Sequence, residues 1–95
     1  MELISEISFA KICRDIKNES DVITKHNPVG TKDETLLWML LGCLIAWLSL
    51  SDSDIPCFSG TPNADTYLDA IQFVLRDRRE VEFDANKYIR EMLSE

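Results

Sequence analysis

Between Leu36 and Leu75 this 95-residue sequence contains no lysine and no arginine. Over the whole chain seventeen acidic residues stand against ten basic ones, a formal charge of −7. Nucleic-acid binding needs cations against phosphates, so this balance argues against a nucleic-acid ligand and favours a basic partner. Cysteine is scarce as well. Cys13, Cys43 and Cys57 cannot all pair within one chain, and none stands at the close spacing of a zinc or redox motif. No signal sequence follows the acidic opening "MELISE", so a reducing, cytoplasmic setting is expected, and the Asn18-Glu19-Ser20 sequon carries no weight there. Histidine occurs once, as His26 in "TKHNP", where it reads as a loop residue with no cysteine placed beside it for nucleophilic chemistry.

What the chain does have is one long apolar run, Leu36 to Leu50, "LLWMLLGCLIAWLSL". As a helix it is about 22 Å long, short of the roughly 30 Å of a bilayer core, and its flanks carry Asp33, Glu34, Asp52 and Asp54 rather than a cationic cluster. No membrane partner is expected. A helix apolar on every face is instead the central member of a small bundle. Gly42 within it predicts close approach of a neighbouring helix, and Trp38 and Trp47 read as core-filling side chains.

The periodicities around that run predict three more helices in a single domain, residues 1–95. In "SFAKICRDIKNE" the residues Phe9, Ile12, Cys13 and Ile16 share one face, and the helix can extend back through Leu3, Ile4 and Ile7. "TKHNPVGT" breaks it. Thr31 and Glu34 then have the spacing of a capping box that starts the apolar helix. "SDSDIPCFSGTPN" is a second breaker, ending on Thr61-Pro62 as cap and first turn of a third helix with Leu68, Ile71 and Val74 or Leu75 inward. Val81 and Phe83 alternate with Glu80 and Glu82 in what reads as a short extended linker. Asp84 is the expected N-cap of a last helix, with Ala85, Tyr88, Ile89, Met92 and Leu93 as its apolar stripe. The fold class is therefore all-α, an irregular four-helix bundle around a central apolar helix.

The charge is unevenly spread. Four of the seven excess negative charges are Asp52, Asp54, Asp65 and Asp69, interleaved with Ile55, Phe58 and Tyr67. An acidic first turn beside a solvated loop is what the helix dipole prefers and needs no partner. Carboxylates around Phe58 and Tyr67 also have the makeup of a protein-binding hot spot with a steering rim. The candidate partner-binding set is thus Asp52, Asp54, Phe58, Asp65, Tyr67 and Asp69. Arg76, Arg78 and Arg79 form a small basic cluster at a helix end, explained by dipole complementarity or by an anionic contact. No catalytic, metal or cofactor site is expected. Asp52 and Asp54 resemble the start of a calcium loop, but Pro56 and Cys57 stand where it needs a further oxygen ligand and glycine. Cys13, His26, Cys43 and Cys57 lack metal-ligand spacing, with two of the cysteines at apolar, core-type positions.

In length, acidity, helix layout and the aspartate-aromatic stretch "NADTYLD", the chain resembles the bacterial immunity proteins that neutralise colicin-type and contact-dependent growth inhibition nuclease toxins. The resemblance implies a non-enzymatic, cytoplasmic protein that binds one basic nuclease toxin domain and occludes its nucleic-acid or active-site surface. The alternative is a structural or adaptor bundle, in which Phe58, Tyr67 and Tyr88 complete a homodimer interface.

Overall fold

The computed structural model describes residues 4–26, 31–49, 62–77 and 80–94. These residues form four α-helices and no strand: α1 (Glu6–His26), α2 (Lys32–Leu48), α3 (Ala64–Asp77) and α4 (Ala85–Leu93). The all-α class follows directly. α2 packs on α1, on α3 and, less extensively, on α4, while α4 also lies on α1 and α1 does not meet α3. The apolar helix is therefore the hub that joins the other three.

Each helix start has a local cause. At α2 the capping box forms as the spacing predicts. The Glu34 N–H donates to Thr31 Oγ1 at 3.2 Å, and the Thr31 N–H donates to Glu34 Oε2 at 3.2 Å. α3 starts later than expected, at Ala64, because Asn63 supplies the cap: its Oδ1 accepts from the Thr66 N–H at 3.1 Å and from the Thr66 hydroxyl at 3.2 Å. Asp84 occupies the N-cap position of α4, but its side chain makes no capping bond. Its backbone carbonyl accepts from the Lys87 N–H at 3.3 Å instead.

α1 runs past Glu19 to His26, directly before the Asn27-Pro28 pair that the sequence marks as its breaker. Ser20, a residue that often competes with a helix, folds its hydroxyl back onto the Lys17 carbonyl at 2.7 Å and lets the ladder continue. The helix ends where Pro28 disfavours helical backbone at the residue before it. α1 also begins at Glu6, so Ile4 lies outside it. The Ile4 N–H donates to the Glu80 carbonyl at 2.8 Å, tying the start of the chain to the segment that leads into α4. Residues 80–84 make no strand; they bend at Glu82 and Phe83, which sends the Phe83 ring onto Phe9 and Tyr88. α2 closes on Ser49, held in the left-handed region at φ 53°, ψ 41°.

The core is the meeting of four apolar stripes: Phe9, Cys13 and Ile16 of α1; Leu36, Leu37, Leu40, Leu41, Leu44 and Leu48 of α2; Ala70, Ile71, Val74 and Leu75 of α3; Ile89 and Met92 of α4. Removing a side chain such as Leu44 from this core costs about 2–5 kcal/mol, a large part of the stability of a domain this small. α2, however, is not wrapped on all sides. Trp38 and Trp47 are 47% and 48% exposed, so they are not core-filling, and Cys43 is exposed as well. Nothing among the described residues lies within 4 Å of a Cβ built on Gly42, so no helix approaches closely there. Among the described residues nothing covers this apolar face of the hub helix.

Candidate partner-binding surface

Three of the six residues of the expected binding set, Asp52, Asp54 and Phe58, lie outside the described residues, as do Arg78 and Arg79 of the basic cluster. The other three sit on α3, where the helical repeat separates them into two groups. Asp65 and Asp69 are four residues apart, so they stand one turn from each other on one face, and both are exposed. Phe73 continues the same stripe one turn further on and is 40% exposed, and Arg76 follows, also exposed. Two carboxylates, a half-exposed aromatic ring and a cation thus line the outer side of α3. Asp65 also lies in the first turn, where the positive end of the helix dipole favours its charge.

Tyr67 points elsewhere. It is roughly 160–200° round the helix from the two aspartates and is half-buried against the core. Together with Pro62 it lines a small cleft with Glu34, Thr35 and Trp38 from the start of α2. α2 and α3 therefore begin at the same end of the molecule and do not form an antiparallel hairpin, which is the irregularity the long connection allows. The aromatic side chain that accompanies Asp65 and Asp69 on the surface is Phe73. A helical wheel identifies it: Phe73 falls four residues after Asp69 and off the Leu68–Ile71–Leu75 face. Trp38 and Trp47 carry no such signal, because from Leu36 to Leu48 every position around α2 is apolar.

Tyr88, assigned by sequence to a homodimer alternative, is engaged within the fold. Its ring stacks edge-on to Phe9 and Phe83 with centroids 6.2 and 5.9 Å apart, and its hydroxyl donates to the Glu6 carboxylate. That hydrogen bond, with burial and the charges of Glu6 and Glu91 adding to it, pushes the phenol up to about 12. Lys87 Nζ lies 5.5 Å from the same ring.

Grooves flank this cluster. One of about 270 Å³ runs between α1 and α4, walled by Arg14, Lys17 and Glu91 with Cys13 and Met92 beneath. A larger one of about 450 Å³ lies between α3 and the segment before α4, where the Gln72 amide donates to Asn86 Oδ1 at 3.3 Å. Neither holds an activated nucleophile. Burial pushes the Cys13 thiol up to about 12, and burial and the Glu19 carboxylate push Cys43 up as well, so both stay protonated at neutral pH. Among the described residues no three histidine, cysteine, aspartate or glutamate side chains gather closely enough to hold a metal ion, and no helix is long and apolar enough to cross a membrane. Comparison with protein-family models, with curated proteins and with solved structures finds no match for this chain.

Proposed function

We propose that this protein is a stoichiometric inhibitor of a basic nuclease toxin domain, an immunity protein that acts by covering the surface on which the toxin receives nucleic acid. The observation that carries this reading is the outer stripe of α3, where Asp65 and Asp69 stand exposed one turn apart beside the half-exposed ring of Phe73. A toxin that binds RNA or DNA presents cations to phosphates. Exposed carboxylates four residues apart meet such cations, and a neighbouring aromatic ring supplies the apolar anchor that steering charges alone lack. From Asp65 to Phe73 this stripe carries carboxylates and no cation, with Arg76 at its far end. Nothing in the reading requires chemistry from this chain.

The test is capture from native cell extract at low and at high salt, with the wild type compared with a variant carrying Asp52, Asp54, Asp65 and Asp69 all changed to Asn. Retention of one basic nuclease by the wild type at low salt, weakened at high salt and lost in the variant, is the expected result. If no basic protein is retained, or if both forms retain the same one, the acidic stripe is solvated surface and the inhibitor reading is wrong.

A further inference from the structure

The open face of α2 is independent of the α3 stripe and has a different chemistry. We infer that it is a self-association surface, on which a second copy of this chain docks α2 against α2 in an antiparallel, two-fold contact. The face consists of Trp38, Met39, Gly42, Cys43, Ala46 and Trp47, with both tryptophans about half exposed and Gly42, Cys43 and Ala46 exposed between them. No charged residue occurs in α2 beyond Glu34. Two copies that each carry −7 meet with least repulsion on such a face, whereas the cations of a nuclease toxin or the headgroups of a membrane find nothing on it to pair with.

Its shape fits itself. Trp38 and Trp47 are nine residues apart, about two and a half turns, so they stand on opposite edges of the face and about 14 Å apart along the axis. A two-fold axis through the Gly42–Cys43 midpoint leaves the four tryptophans at the four corners of the contact, each in a corner the other copy leaves empty. The small residues in the middle let the helices come within about 8 Å. Antiparallel packing is favoured over parallel because it separates the acidic first turns of the two helices, Asp33 and Glu34. It also brings the Lys32 end of one towards the C-terminal end of the other, whose last turn has no basic residue.

At 47% and 48% exposure the two tryptophans offer roughly 200 Å² per copy. With the residues between them the pair of faces amounts to about 900–1,000 Å², the range of weak, transient interfaces. The dimer is therefore expected to be weak and to form only as concentration rises. Raising salt strengthens it, because salt screens the repulsion between two acidic copies. This is opposite to the salt dependence of the α3 stripe, so the two readings fail separately.

The test is sedimentation equilibrium of the full chain over a concentration series. The expected result is a monomer–dimer equilibrium that Trp38→Gln with Trp47→Gln weakens at least tenfold, that Ala46→Glu also weakens, and that Ile7→Gln on the exposed side of α1 leaves unchanged. In this geometry the two Cys43 Cα atoms are about 5 Å apart, within disulfide range. Oxidation by copper-phenanthroline, which takes two electrons and two protons from two thiols, should then give a covalent dimer that Cys43→Ser abolishes. Circular dichroism of each variant checks that the helices are intact. A chain that stays monomeric throughout overturns the inference. So does a dimer indifferent to the tryptophan variant, or one that Ile7→Gln disrupts.

Discussion

Replacing Gly42 by Ala discriminates sharply between the two environments a mid-helix glycine can have. Glycine in a helix interior costs about 0.8–1.0 kcal/mol relative to alanine, because it gives up more backbone freedom on folding. That cost persists only where the missing Cβ is useful, as where a neighbouring backbone presses against the helix. At Gly42 an added Cβ meets nothing among the described residues within 4 Å, and the position lies on the exposed face of α2. The added methyl therefore has no clash to offset the propensity gain, and Gly42→Ala stabilises the monomer by about 0.8–1.0 kcal/mol. At an m-value of about 2 kcal/mol/M this moves the urea midpoint up by about half a molar, and it raises Tm by about 4–8 °C. Urea unfolding followed by helical circular dichroism, at a protein concentration well below that of the expected dimer, measures it. An unchanged or lowered midpoint at that dilution would mean that Gly42 is in contact within its own chain, and the open-face description of α2 would be wrong.

Leu44→Ala, at a fully buried position of α2, is expected to lose about 2–5 kcal/mol in the same urea assay, whereas Trp47→Gln three residues on, at a half-exposed position, costs the dilute monomer about 1–2 kcal/mol; a loss at Trp47 as large as that at Leu44 would show that both faces of α2 are covered. Tyr88 has its phenol raised from the usual value near 10 to about 12 by its hydrogen bond to Glu6, so the folded state holds this proton more tightly than the unfolded one. The stabilisation is complete below about pH 10 and is lost as pH rises through 12. Tyr88→Phe should remove that part of the alkaline destabilisation, together with a late-ionising step in absorbance near the phenolate band; a native wild type with no such late step would contradict the assignment.

Much of the architecture was legible because it rests on short-range rules. Thr31 and Glu34 satisfy each other's backbone partners within one turn, so their spacing alone announced the start of α2. Phe9, Cys13 and Ile16, and likewise Ile71 with Val74 or Leu75 and Ile89 with Met92, recur with the helical repeat, and all are buried. Boundaries were harder. Ser20 and Asn63 can each either end or support a helix, and which they do depends on where a hydroxyl or amide oxygen finds its partner, at the Lys17 carbonyl in one case and at Thr66 in the other. The candidate surface was legible in part. Asp65 and Asp69 share a face by spacing, but that Tyr67 turns inward while Phe73 turns outward depends on which side of α3 rests on α2.

Four amphipathic or apolar helices, their order, an acidic surface on α3 and an apolar hub too short for a bilayer are all readable from the residues alone, since they depend on composition, local hydrogen bonding and a period of about 3.6 residues. Which side of the hub is covered emerges from packing between helices. A helix that is apolar all round carries no internal mark of its buried face, so whether Leu40 or Trp38 goes inside is chosen by the stripes of α1, α3 and α4 that pack against it. Those three stripes cover the leucines, and the face left over is the one with the tryptophans.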